Sequence, residues 1–190
     1  MSSKGQEVTK PNEYRDKMFG LVAGREPIDI MKETTEVLSS IAEGYPVDVL
    51  RRRPFPGKWT PIEILGHLVD AEWVYGYRLR TVLLDNRPQI VPMDQELWVT
   101  GQQYNQRDPK DLVKQFKVLR MMNIFIIKHL TPEQKQREGL HAERGPETID
   151  TMLKMLAGHD LNHIAQLKKY LDAILDEEST SDMKLTRVKK

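Results

Sequence analysis

Apolar residues recur at the three- and four-residue spacing of an α-helix in four long stretches of the chain. In the last stretch, Leu153, Leu156, Ile164, Leu167 and Leu171 would all lie on one side of a helix. Helices of this kind bury one face against a common core and expose the other. The pattern therefore predicts four long amphipathic helices, over residues 27–44, 60–85, 108–130 and 148–175.

The second and third stretches begin with residues that favour a helix start. Thr60 can accept a hydrogen bond from the first turn, Pro61 fits the first helical position, and Glu63 completes a Thr-x-x-Glu capping box. Asp108 and Pro109 supply the same kind of cap and proline at the third helix. These residues predict where both helices begin.

The segments between the helices are polar or rich in proline and glycine, and no stretch shows the sustained alternation of a β-strand. We predict one all-α domain, a four-helix bundle with long connections over residues 27–176. The remaining predictions are a polar tail over residues 1–26 with a short helix near 14–21, a crossover over 89–107 with a short helix near 94–99, a helical turn at 131–134, a loop at 139–146, and a polar, basic tail over 177–190.

The charge balance excludes some classes of partner. The 190 residues include 29 Lys plus Arg and 28 Asp plus Glu, a formal net charge of +1, which gives no field to attract nucleic acid or an anionic membrane. There is no cysteine, so disulfides, thiolate metal sites and a cysteine nucleophile are excluded. The N-terminus lacks the apolar segment of a signal peptide, and no apolar run approaches the roughly 20 residues of a membrane span. We expect a cytoplasmic protein that binds neither nucleic acid nor membranes.

Three histidines carry the main chemical signal. His159 and His163 are four residues apart, so their rings lie one turn apart on one side of the fourth helix. His67, on the second helix, resembles His159 in following a glycine, Gly66 in one case and Gly158 in the other, which leaves room in a crowded interior. Bundles build metal sites from inward side chains of facing helices, so these three imidazoles could bind one divalent ion with a coordination position left open. The alternative is that they are ordinary surface or core histidines.

Two carboxylates follow the histidines closely. Asp70 lies one turn beyond His67, and Asp160 directly follows His159. Either could accept a hydrogen bond from a ligating ring or act as a nearby catalytic carboxylate. The alternative is exposed charge on a helix surface.

Three further residues are candidates for the site. Gln166, one turn past His163, could orient a ligand or cap the bundle wall, and Arg78, about three turns past His67, could face an anionic substrate or an acidic neighbour. We take Gln166 and Arg78, with the two aspartates, as candidate catalytic residues. His141, in the predicted loop, either approaches the site from outside or is an ordinary loop histidine.

Several segments together resemble the DinB-like superfamily, in particular its members described as metal-dependent hydrolases. They are KWTP at 58–61, HLVDAE at 67–72 followed by Arg78, and GHDLNHIAQ at 158–166. The resemblance extends over roughly residues 28–175. It implies an up-down-down-up four-helix bundle, a nickel or zinc ion on His67, His159 and His163, and frequently a homodimer. Some similar proteins are S-transferases that use bacillithiol or mycothiol, or a mycothiol-dependent isomerase, and nothing in this chain selects one thiol.

Two classes of function follow from these observations. The first is a metal-dependent enzyme, in which an ion held by three neutral ligands acidifies a water or a low-molecular-weight thiol for attack on a small electrophile. It would be a thiol S-transferase or a hydrolase, with a slight preference for thiol transfer because the resemblance offers a precedent. The second is a bundle that binds a metal or small ligand without turnover. A fourth protein ligand would favour this second class.

Overall fold

The computed structural model describes the backbone of residues 11–188 and the side chains of residues 13–177. Its helices are α1 (Pro11–Val22), α2 (Pro27–Gly44), α3 (Val47–Leu50), α4 (Pro61–Leu84), α5 (Gln95–Gly101), α6 (Pro109–Lys128), α7 (Pro132–Lys135) and α8 (Ile149–Val188). A short 3-10 helix (Tyr104–Gln106) follows α5, and three strands are present, β1 (Gln89–Ile90), β2 (Glu138–His141) and β3 (Gly145–Thr148). No helix in the described part of the chain is both long and apolar enough to cross a membrane.

The four long helices α2, α4, α6 and α8 pack as a bundle around two large apolar clusters. Contacts between α4 and α6 show that these helices run in the same direction. Glu72 of α4 pairs with Arg120 of α6, and one turn further along both helices Gly76 packs against Asn123. The two sequence-adjacent long helices are therefore parallel, which requires the long crossover between them.

Helix α8 runs antiparallel to α4 and parallel to α2. His67 near the start of α4 meets His159 in α8, whereas Leu79 near the end of α4 shares an apolar cluster with Ile149 at the start of α8. Met31 of α2 also belongs to the cluster that contains Ile149. The resulting order is up-down-down-up, and the predicted fold class is confirmed.

Local residues explain the helix boundaries. The Thr60 hydroxyl accepts from the Glu63 amide at 3.2 Å, and the Glu63 carboxylate accepts from the Thr60 amide at 2.7 Å, so the predicted capping box is present. The Asp108 carboxylate accepts from the Lys110 amide at 2.8 Å and starts α6. The predicted helix starts at Pro27, Thr60 and Asp108 are confirmed.

The prediction that the chain contains no strand is wrong. β2 and β3 form an antiparallel hairpin where a loop was predicted, and β1 pairs in parallel with β2. The strands are two to four residues long and contain Gly139 and Pro146, so they have no alternating pattern that could reveal them. Gly139 lies so close to Ile90 and Val82 that a side chain there would collide with both. The sheet therefore packs tightly against the end of α4.

The two predicted tails are partly helical. α1 lies within the segment 1–26, where a short helix was predicted, and it packs on α8. The last helix continues past residue 176 to Val188, so the predicted tail from residue 177 is helical over most of its length. Residues 1–10 and 189–190 lie outside the described residues.

The buried face of α6 differs from the predicted one. Its apolar spacing predicts seven core residues, Leu112, Val113, Phe116, Leu119, Met122, Ile126 and Ile127. Met122 is 49% exposed, and Leu119 and Ile126 are only partly buried, whereas the other four are buried. Arg120 and Asn123 occupy core positions instead, with 1% and 3% exposure. The buried face of α6 is therefore shifted from the predicted one, because these two polar residues bind partners inside the bundle.

Candidate functional site

The fold brings the three predicted histidines together. Nε2 of His67 lies 2.9 Å from Nε2 of His159, and the ring centroids of His163 lie 4.7 Å and 4.4 Å from those two rings. One ligand nitrogen from each residue lies within 4.8 Å of the others, and all three side chains are buried. His67 comes from α4, while the other two occupy successive turns of α8, as the four-residue spacing predicts.

The surroundings keep the three rings neutral. Burial lowers the pKa of His67 and His159 well below the ordinary histidine value, and charge on neighbouring histidines would lower both further. Burial also lowers the pKa of His163 to about 4, although its hydrogen bond to Gln166 opposes the shift. Neutral imidazoles have a ring nitrogen lone pair, which is the form that binds a metal ion.

Gln166 holds the His163 ring in one orientation. The Gln166 Oε1 lies 2.8 Å from His163 Nδ1, and the Gln166 amide nitrogen donates to the Tyr170 hydroxyl at 3.1 Å. Since an amide oxygen only accepts, Nδ1 carries the proton and the lone pair is on Nε2. Gln166 therefore orients a ring of the cluster, one of the two roles considered for it.

The histidine arrangement passes a simple test of fit to a metal ion. When two neutral imidazoles face each other through Nε2, one must donate the hydrogen bond and the other must accept it. The third ring then has no hydrogen-bond partner within the cluster. His67 Nδ1 and His159 Nδ1 are also buried without a hydrogen-bond partner among the described residues. A cation shared by the three Nε2 atoms would use every inward lone pair, as in a three-histidine zinc site.

Trp59 covers two of the rings. Its indole lies 4.9 Å from the His67 ring and stacks at 19° on His163, with centroids 6.3 Å apart. The indole nitrogen donates to Glu96 of α5 at 3.1 Å, which fixes the side chain. The crossover between α4 and α6 thus supports one wall of the histidine cluster.

The glycines before the histidines provide the room predicted for them. A Cβ atom at Gly66 would collide with the Tyr104 ring, and one at Gly158 would collide with the backbone carbonyl of Met18 in α1. These close approaches bring the 3-10 helix against α4 and α1 against α8, directly beside the histidines.

Asp70 makes its described hydrogen bond outside the histidine cluster. Its Oδ1 accepts from the Gln102 amide at 2.8 Å, and its side chain lines a cavity of about 600 Å³ with Tyr104 and Trp98. Burial raises the Asp70 pKa, and hydrogen bonds and the positive charge of Arg107 offset this only in part. Because the buried Nδ1 of His67 has no hydrogen-bond partner among the described residues, Asp70 does not accept from His67.

Asp160 belongs to a buried ion-pair network. Its Oδ2 accepts from Arg120 Nη1 at 2.7 Å, and Arg120 also binds Glu72 at 2.8 Å and the Met31 carbonyl at 2.8 Å. Asp160 is fully buried, so the exposed-charge alternative is wrong. It is also no hydrogen-bond acceptor for the ligand rings, because His159 Nδ1 has no described partner. The structure gives it a role inside the bundle.

Arg78 and His141 lie apart from the cluster. Arg78 is 11 residues beyond His67 on α4, which corresponds to about 16 Å along the helix axis. His141 lies in β2 with 3% exposure rather than in a loop, and its Nδ1 accepts from the Glu143 amide at 3.2 Å. The prediction that His141 is a loop residue is wrong, because hairpin pairing buries it.

Some residues around the site were not singled out from the sequence. Glu96 and the buried pair of Glu72 and Arg120 are the main ones. A signal existed for Arg120, since it continues the helical spacing of Phe116 and is itself followed by Ile127 on the same face. A charged residue inside an apolar stripe indicates a buried partner.

Comparison with known proteins gives consistent matches. The model of the DinB superfamily matches residues 30–167. Two proteins of Oceanobacillus iheyensis, named "Putative metal-dependent hydrolase" OB0413 and OB0782, are 26% and 25% identical to the chain over 115 and 112 residues. These matches cover 59% and 58% of this chain and 64% of each relative, so the chain spans less than two thirds of their length.

YfiT of Bacillus subtilis is similar in both sequence and structure. The protein, named "Putative metal-dependent hydrolase YfiT", is 23% identical over 141 residues, which cover 74% of this chain and 79% of YfiT. Its solved structure, described as "a probable metal-dependent hydrolase with an unusual four-helix bundle topology", matches with a TM-score of 0.71 at 21% identity over 89% of this chain and 91% of the other. At this identity the structural likeness establishes the fold.

Proposed function

Because the chain belongs to the DinB superfamily, we propose that it is a metal-dependent enzyme with one divalent cation, nickel or zinc, on His67, His159 and His163. The ion would activate a water molecule or a low-molecular-weight thiol for attack on a small electrophilic substrate. The observation that carries this proposal is the meeting of three buried, neutral imidazoles at the interface of α4 and α8.

The donor set supports an enzyme over a structural site. Within the described residues the cluster contains three possible ligands, all histidines, and no fourth side chain that would close a tetrahedron. When bound, the ion would supply Lewis acidity, since three neutral ligands leave its positive charge uncompensated. The names of the relatives, all metal-dependent hydrolases, favour water as the nucleophile.

The protein's own residues would prepare this site for chemistry. Gln166 holds the His163 ring with its lone pair inward, and Trp59 shields the His67 and His163 rings from solvent. Asp70 is our candidate proton acceptor. It lies one turn from His67, and the pKa raised by burial makes its carboxylate a stronger base than an exposed aspartate.

Turnover assays with matched variants test the proposal. Metal-loaded protein is offered aryl esters for hydrolysis, and an aryl halide with a low-molecular-weight thiol for transfer. We expect turnover with one nucleophile that disappears after chelation and in His159→Ala, and that persists in His129→Ala, whose histidine is exposed at the end of α6. Turnover that persists after metal removal would contradict the proposal. Metal binding without any turnover would favour the non-catalytic alternative.

A further inference from the structure

A second cavity lies beside α4, between this helix and residues 88–93 of the segment that follows it. It has a volume of about 150 Å³ and is lined mainly by apolar groups, among them Trp73, Tyr77, Val91 and Trp98. A closed apolar cavity of about this volume accommodates a benzene ring. The size therefore fits one six-membered ring or a short branched alkyl group.

Arg78 is the only charged side chain among the residues that line this cavity. It is 8% exposed, its Nη2 donates to the Val91 carbonyl at 2.6 Å, and its guanidinium lies 5.4 Å from the centre of the Tyr75 ring. Its buried Nε has no hydrogen-bond partner, and no described carboxylate forms an ion pair with it. A guanidinium keeps its charge when buried, so this arrangement leaves a positive charge with no directly paired anion among the described residues.

The neighbouring sheet carries a carboxylate, Glu147, that offsets part of the positive charge of Arg78. His141 pairs with Ile90, the residue before Val91, so the hairpin lies beside the Arg78 contact. Arg144 forms an ion pair with Glu147 through two hydrogen bonds of 2.5 Å and 3.0 Å. The Glu147 carboxylate therefore already has a cationic partner. Burial is the main cause that lowers the pKa of Arg78 and His141, and the positive charge of Arg144 lowers both further.

The cavity lies further along α4 than the histidine cluster. Val74 and Arg78 follow His67 by seven and 11 residues, so each lies within about 20° of its direction, about 10 Å and 16 Å further along the axis. The cavity is therefore a site separate from the histidine cluster.

We infer that this cavity is a binding site for a small carboxylate that carries one ring-sized apolar group. The carboxylate binds the free donors of Arg78, and the apolar group lies between Trp73 and Trp98. This binding requires no metal ion and is independent of the proposed function.

Benzoate and its neutral counterpart benzyl alcohol test the binding. Each is titrated into the untagged full chain and followed by calorimetry and by tryptophan fluorescence, since two tryptophans line the cavity. We expect saturable binding of benzoate, about tenfold tighter than benzyl alcohol because of the charge-assisted hydrogen bonds. In Arg78→Met the benzoate affinity falls about tenfold, while that of benzyl alcohol is unchanged.

Two further variants separate recognition from folding. Arg80→Met is the matched control, since Arg80 binds the Gly76 carbonyl and Asn123 and does not line the cavity, so benzoate affinity should be unchanged. Val74→Phe fills the cavity while Arg78 stays, so both ligands should be lost. The inference is overturned if the unmodified chain shows no saturable benzoate binding, if Arg78→Met and Arg80→Met lose it equally, or if Val74→Phe retains it.

The same titration in His67→Ala distinguishes this inference from the proposed function. Benzoate binding should survive in His67→Ala, because His67 does not line the cavity. Benzoate binding by an unmodified chain that takes up no metal would support the cavity and contradict the metal proposal. A chain that binds metal and turns over substrate but does not bind benzoate would support the proposed function and contradict this inference.

Discussion

At the residue scale, His163 shows how the fold prepares a ligand before any ion arrives. One nitrogen of its ring is bound to Gln166, and the other faces His67 and His159. The Gln166 amide is itself bound to Tyr170. The orientation of the ring is therefore set by a chain of neutral hydrogen bonds along α8.

Gln166→Ala should weaken metal binding about 10- to 100-fold, because partners that orient a ligating histidine contribute on this scale. Competition with a chelator of known affinity measures the effect. Gln166→Glu should restore most of the affinity, since a carboxylate accepts the same Nδ1–H bond. Equal metal affinity in Gln166→Ala and the unmodified chain would show that Gln166 does not position the ring.

The stability of the metal-free protein should fall as the medium becomes acidic. His163 has a pKa of about 4 when folded against an ordinary 6.5, so the unfolded chain binds the proton more tightly and the folded state loses stability between these two values. The loss for His163 alone is about 3 kcal/mol below pH 4.

A comparison with His163→Gln isolates this effect. Burial raises the pKa of Glu72 and Asp160, so these groups contribute in the opposite sense, with stability lost as the pH rises. As the pH falls from 6.5 to 4, the unmodified chain should lose more stability than His163→Gln. Chemical denaturation at several pH values measures this difference. A pH-independent difference between the two would contradict the assignment, and His129→Gln provides the exposed control.

At the scale of elements, a buried network ties α2, α4, α6 and α8 together. Arg120 of α6 binds carboxylates on α4 and α8 and a carbonyl of α2, and Asn123 adds a bond of 2.8 Å to Glu72. The network sits one residue from His159 along α8, through Asp160. It therefore holds the two helices that carry the histidines at a fixed distance and rotation.

Arg120→Met should destabilise the protein by about 3–5 kcal/mol, because it leaves Glu72 and Asp160 buried together without a cation. Thermal or urea unfolding measures the change, and Lys117→Met on the exposed face of α6 should change stability by less than about 0.5 kcal/mol. A loss in Arg120→Met no larger than in Lys117→Met would mean that the network adds nothing to stability.

Gly158→Ala should loosen α1 from α8, since the added methyl group would collide with the Met18 backbone carbonyl. Overpacking of this kind costs about 1–3 kcal/mol, and limited proteolysis should cut α1 faster than in the unmodified chain. Gly20→Ala, where a methyl group meets open space, is the matched control. Equal cleavage of the two variants would show that the close approach at Gly158 is not needed.

Helix boundaries were predictable where local chemistry decides them, as at Thr60 and Asp108, whose side chains cap the first turn. The hairpin was not predictable, because its pairing comes from contacts with α4 and from β1, far away in sequence. The buried face of α6 was misassigned for a related reason. Arg120 is buried only because two carboxylates from other helices meet it there.

At the scale of the whole molecule, the histidine cluster was predictable from the four-residue spacing of two rings, the glycine before His67 and His159, and the resemblance to a known superfamily. It could not place Asp160 or Asp70, since their directions depend on which neighbour each carboxylate meets, Arg120 or Gln102. The homodimer and the cytoplasmic location stay predictions. Exposed apolar side chains on α6, with Phe125 at 66% and Met121 at 65% exposure, provide a surface on which a second copy could pack.

The measurement that tests the central claim most directly is the metal content of the chain, purified without a histidine tag, beside His67→Ala and His129→Ala. We expect about one nickel or zinc ion per chain in the unmodified protein and in His129→Ala, and none in His67→Ala. No bound metal in the unmodified chain, even after nickel or zinc is supplied, would contradict the account and leave the three histidines as core residues.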